Sequence, residues 1–126
     1  LDDLLATSDI VSLHLPLVPE TERLLDAGRL ARMKPGALVV NTARGGLIDE
    51  PAMIELLRKG HLGGAALDVF ADEPVPAGHP MLGLPNVVMA PHVAWHTPET
   101  MARSLAIAVE NCRRLLAGVP LLHQVQ

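Results

Sequence analysis

Ala37-Leu38-Val39-Val40-Asn41-Thr42-Ala43-Arg44-Gly45-Gly46-Leu47-Ile48-Asp49-Glu50-Pro51 runs from strand through loop into helix. Ala37 to Asn41 is a short apolar, β-branched run bounded by Pro35-Gly36, the pattern of a strand. Asp49 is a good N-cap, and Pro51 belongs in a first helical turn, where its absent N–H would be unpaired anyway. Met53, Leu56 and Leu57 give that helix an apolar face, and Gly60 stops it.

Reading outward, Ile10-Val11-Ser12-Leu13-His14 is a further strand, expected to be parallel and buried on both faces. Ala65 to Val69 and Val87 to Ala90 are two more. Thr21 can cap a turn, and Ala27 to Met33 is a short helix ended by Pro35-Gly36. Residues 1–8 read as the tail of a helix, and residues 74–86 as a loop without periodicity. Thr97-Pro98-Glu99 opens a long helix ending at Gly118, with Met101, Leu105, Ala108, Cys112 and Leu115 as its core or interface stripe. Strands alternating with helices predict an α/β fold with a parallel sheet.

Composition narrows the class. The 126 residues suit one domain, and 49% are apolar, which excludes a disordered chain. Phe70 and Trp95 are the only aromatics, so the core is aliphatic and methionine-based. A net charge of −4 with no basic stripe disfavours nucleic acid. Cys112 stands alone, so no internal disulfide forms and a cytoplasmic setting fits. No apolar run is long enough to span a bilayer, so no membrane partner is expected.

Arg44, Glu73 and His92 each fall just past a predicted strand, where an open parallel sheet builds its sites. Arg44 offers a planar fork for a carboxylate. His92 can donate and recover a proton near neutral pH. Glu73, within hydrogen-bond reach, would orient the His92 ring. Taken singly, Arg44 is an exposed loop arginine, His92 a structural histidine, and Glu73-Pro74 ordinary turn chemistry beside Asp72. His92 and His96 are four apart, but Val93-Ala94-Trp95 between them holds no glutamate, so no metal site is expected. His61 and His79 read as exposed loop residues.

Five segments in order, Val11-Ser12-Leu13-His14-Leu15-Pro16, Met33-Lys34-Pro35-Gly36, Asn41-Thr42-Ala43-Arg44-Gly45-Gly46-Leu47-Ile48-Asp49, Ala66-Leu67-Asp68-Val69-Phe70 with Glu73-Pro74, and Pro91-His92, resemble the NAD-binding domain of the D-isomer-specific 2-hydroxyacid dehydrogenases. The resemblance implies a Rossmann-like parallel sheet with flanking helices and an NAD or NADP cofactor. It implies hydride transfer at C2 of a small 2-keto or 2-hydroxy acid. Arg44, Glu73 and His92 become the catalytic set. His14, Pro16 and Thr21 fall on the adenine side of the cofactor, and Thr42 and Ala43 beside Arg44. Asp68 falls near the nicotinamide carboxamide, or is a strand-end aspartate accepting backbone N–H groups. Arg44, His92 and Ala94 complete the cofactor-contacting group, and a homodimer is implied for the intact protein.

The chain departs from the pattern in two places. No GxGxxG loop follows a strand here, so the chain is expected to be the C-terminal half of a dinucleotide domain, lacking the first βαβ unit. Residues 1–93 would form that half, and residues 94–126 a crossover helix and tail returning toward a substrate domain. Ala94-Trp95-His96 replaces the small residues usual after the catalytic histidine. A glutamate at position 73, where formate dehydrogenases carry glutamine, argues against formate. Two alternatives stand beside the enzyme: a fragment that is inactive alone, and a regulatory scaffold of the corepressor kind.

Overall fold

Residues 1–124 are described by the computed structural model, in which four strands form one parallel sheet. They are β1 (Ile10–Leu13), β2 (Leu38–Asn41), β3 (Gly64–Leu67) and β4 (Val87–Met89), and their order across the sheet is their order along the chain. Ile10 pairs with Leu38, Leu38 with Gly64, and Ala65 with Val87, so the four carboxyl ends open on one side.

Three short helices cover one face: α1 (Asp2–Thr7), α2 (Ala27–Arg32) and α3 (Glu50–Arg58). Val11, Leu13, Val39, Ala65 and Leu67 point into a core with Leu5, Leu30, Met53, Ile54 and Leu57. Each fully buried aliphatic side chain contributes roughly 1.5–3 kcal/mol to holding helices on sheet. Local signals start and stop the helices. Asp26 accepts from Arg29 N at 2.8 Å to open α2, and Asp49 accepts from Ala52 N at 3.1 Å to open α3. Gly60, at φ 71°, turns the chain out of α3.

Burial of β1 differs from expectation. Val11 and Leu13 are buried, whereas Ile10 is 60% exposed and Ser12 is exposed. Alternate side chains point to opposite faces, and the helices that pack on β1 all lie on the Val11 and Leu13 side. Leu38 and Val88 are likewise exposed on that other face. The loop after β3 also holds more order than its sequence suggests, with a 3-10 turn at Pro80–Gly83. His79 caps this turn, its Nδ1 accepting from Met81 N at 3.4 Å.

The chain falls into two compact units, Leu1–Val93 and a second beginning at Ala94. The second is built on α4 (Pro98–Leu116), opened by Thr97, whose Oγ1 accepts from Thr100 N at 3.2 Å. Gly118, at φ 65°, reverses the chain, and Asn111 exchanges two hydrogen bonds with Leu122 to hold the tail along the helix. No residue of α4 is buried, and Leu105 is 67% exposed, so its apolar stripe is not core.

Candidate active site

The site grows from loops at the carboxyl ends of β2, β3 and β4. Asn41, the last residue of β2, is buried and shapes the first loop. Its Oδ1 accepts from Ala43 N at 3.0 Å, and its Nδ2 donates to Arg44 O at 2.8 Å, so one side chain satisfies two groups of the turn. Arg44 follows in extended backbone, and its Nη1 donates to Ala43 O at 2.6 Å. Among the described residues its guanidinium has no carboxylate partner, which leaves a cation at the lip of the sheet. Gly45 then lies against the next loop: a Cβ there would stand 2.0 Å from both the carbonyl carbon and the oxygen of Phe70. Only glycine permits that approach, and it fastens the Arg44 loop to the loop bearing Glu73.

Glu73 has two contacts with distinct effects. Its Oε1 accepts from Phe70 N at 2.9 Å, which closes its own loop, and its Oε2 meets His92 Nδ1 at 2.9 Å. The His92 contact first, and the Phe70 N–H second, hold the Glu73 carboxyl below the ordinary glutamate range. The Glu73–Pro74 peptide bond is cis. His92 stands at φ 57°, and the next N–H, that of Val93, donates to Asp68 Oδ1 at 2.9 Å. With Nδ1 on Glu73, the His92 Nε2 is the ring nitrogen left for a ligand.

Arg44, Glu73 and His92 line one cleft of about 450 Å³, together with Leu17, Arg23, Glu50 and Phe70. A second, more apolar cavity of about 610 Å³ shares Phe70, Glu73 and His92 and adds Pro74, Val75, Met89, Ala90 and Pro91. The three residues expected to act together therefore meet in one place. His14, Pro16 and Thr21 lie elsewhere, on the loop after β1, and line neither cavity. His14 Nε2 pairs with Ser12 Oγ at 2.8 Å, and Thr21 Oγ1 donates to Pro16 O at 2.7 Å while accepting from Val18 N at 2.9 Å. Thr42 is exposed and Ala43 half-buried on the β2 loop. Asp68 is buried at the end of β3, bonded to the Val93 N–H as a strand-end aspartate would be. Ala94 is exposed and opens the second unit.

Two corrections concern histidines. His79 is not an exposed loop residue: its side chain is 16% exposed and its Nε2 meets Glu50 Oε1 at 2.9 Å. His61 is half-buried rather than exposed, and among the described residues its buried Nε2 has no hydrogen-bond partner. Asn41 and Glu50 are site residues that sequence reasoning misses; a polar residue ending an apolar strand was the available signal for Asn41. Among the described residues no cluster of three metal-binding side chains occurs, and no helix is long and apolar enough to cross a membrane.

Residues 1–94 match the family model of the D-isomer specific 2-hydroxyacid dehydrogenase NAD binding domain. The chain belongs to this dehydrogenase family. A glyoxylate reductase of Thermofilum pendens is 47% identical over 118 residues, covering 94% of this chain and 35% of the relative. The TT0316 protein of Thermus thermophilus superposes with a TM-score of 0.93 at 49% identity, over 99% of this chain and 40% of that one. A D-isomer specific 2-hydroxyacid dehydrogenase from Xanthobacter autotrophicus Py2, in complex with NADPH and MES, gives a TM-score of 0.85 at 47% identity, over 99% of this chain and 51% of that one. This member of the 2-hydroxyacid dehydrogenases spans a little over a third of the length of the curated relatives it matches.

The matching family model is an NAD binding domain, and part of the site fits that dinucleotide. Leu15, Leu17 and Val18 expose apolar surface at the carboxyl end of β1, suited to a flat ring, and Thr42 exposes a hydroxyl beside it in the sheet order. The glycine-rich turn that would hold the phosphates is not among the 126 residues.

Proposed function

We propose that this chain supplies the carboxylate-binding and proton-transfer groups of an NAD(P)-dependent dehydrogenase acting on small D-2-hydroxy or 2-keto acids. The convergence of Arg44, Glu73 and His92 on one cleft carries this reading. Arg44 binds the substrate carboxylate in two-point fashion and so fixes C2 relative to His92. When bound, the nicotinamide supplies or accepts the hydride at C2. In reduction, His92 donates its Nε2 proton to the C2 oxygen as negative charge develops there; in oxidation it takes that proton back. Glu73, bonded to Nδ1, keeps the ring turned so that Nε2 faces the substrate, and it offsets the positive charge of the protonated ring.

The wider assignments rest on the same reading. A cytoplasmic protein fits a chain whose one cysteine forms no internal pair. A homodimer of the intact enzyme fits the exposed apolar stripe of α4. The chain by itself is proposed to bind NAD weakly or not at all and to lack turnover, because it spans about a third of its relatives and has no glycine-rich phosphate turn.

The test replaces the matching segment of the Thermofilum pendens glyoxylate reductase with this chain and assays glyoxylate, hydroxypyruvate and pyruvate. His92→Ala in that chimera is expected to lower kcat by about 10²–10⁴-fold. Unchanged turnover rejects His92 as the proton carrier. Absence of turnover in the unsubstituted chimera with all three acids would favour a regulatory scaffold instead.

A further inference from the structure

We propose that Glu50 and His79 form a second glutamate–histidine pair that positions Glu73 by clamping the loop on which it is carried. The proposal rests on the reading of Glu73 and His92 as the working pair. Glu50 stands in the first turn of α3, with its side chain only 11% exposed, at the floor of the cleft. A carboxylate so nearly buried is unfavourable unless its oxygens are used, and both are. Oε1 accepts from His79 Nε2 at 2.9 Å, and Oε2 accepts from Ala71 N at 3.1 Å. His79 Nδ1 accepts from Met81 N, so the ring proton lies on Nε2 and points at Glu50 as a neutral donor.

The Ala71 N–H is what links this pair to the site. Ala71 follows Phe70, whose own N–H donates to Glu73 Oε1, and Glu73 Oε2 in turn holds His92. The hydrogen bonds thus run from His79 through Glu50 to the 70–73 main chain and on to Glu73 and His92. Gly45 presses on the same main chain at Phe70, so the loop is gripped by α3 at one residue and by the Arg44 loop at the next. Nothing in the sequence spacing forces this: Glu50 is 21 residues from Ala71 and 29 from His79. Glu50 acts on Glu73 through that loop, so it is a positioning residue.

The test follows the Glu73 side-chain carboxyl by carbon NMR through an acid titration of the 126-residue chain. In the parent its midpoint lies below the ordinary glutamate range, with the Phe70 N–H as one of the two contacts holding it there. Glu50→Gln keeps the shape but cannot accept from both His79 and Ala71, and the Glu73 midpoint is expected to rise by roughly half a pH unit or more. His79→Phe is expected to act in the same direction. His79→Gln, which restores an amide donor to Glu50, is expected to return the midpoint to the parent value. A midpoint unchanged in both Glu50→Gln and His79→Phe overturns the proposal, as does a Glu50→Gln chain that unfolds while His79→Phe folds with Glu73 unaltered. The titration involves neither substrate nor turnover, so its outcome is separate from that of the His92→Ala assay.

Discussion

Few residues other than glycine occupy a φ of 57°, and His92 is held there by its neighbours. The conformation costs on the order of 1 kcal/mol, which the Val93 N–H to Asp68 bond and the Nδ1 contact to Glu73 offset. Glu73, in turn, depends on a loop that admits no side chain at its neighbour Gly45. Gly45→Ala is expected to destabilise the first unit by about 2–3 kcal/mol, read from urea melts, because main-chain atoms of Phe70 cannot rotate out of the way. A variant as stable as the parent would show that the two loops can separate. At this scale the meeting of Arg44, Glu73 and His92 in one cleft was legible, since each follows a run whose strand character is written locally. Glu50 and His79 were not: their pairing spans 29 residues and appears only when α3 and the 3-10 turn are brought together.

Helix α3 illustrates how an element carries local chemistry to the site. Asp49 caps it, Pro51 fits its first turn, and Met53, Ile54 and Leu57 bury its apolar face, so its N-terminus and Glu50 arrive at the cleft together. Asp49→Ala removes the bond to Ala52 N and is expected to lower stability by about 1 kcal/mol, visible as a lower Tm in thermal circular dichroism. No change in Tm would mean that packing alone sets the helix start. Caps, prolines and glycines are short-range signals, and the starts of α3 and α4 were readable for that reason. The 3-10 turn at Pro80–Gly83 was not, because its cap is a histidine ring rather than a hydroxyl or carboxylate. Nor were the two faces of β1: four residues reveal that a strand is apolar, but not how many helices will cover each side of it.

At the scale of the first unit as a whole, β1 is an outer strand of the sheet, and among the described residues no strand pairs with its far edge. Isothermal calorimetry of the 126-residue chain with NAD and NADP is expected to give no binding or binding weaker than about 1 mM, equivalent to little more than 4 kcal/mol. Micromolar affinity would mean that the strand ends present here suffice without a glycine-rich phosphate turn. The family was legible from ordered motifs spread along most of the chain, whereas the substrate was not, since no residue here fixes which group C2 of the acid bears.

The agreement between sheet order and chain order has a consequence for how the protein is made. As the polypeptide leaves the ribosome, β2 meets a β1 already delivered, β3 meets β2, and β4 meets β3. Each strand after β1 finds one neighbour already synthesised, so these four strands can assemble in step with translation.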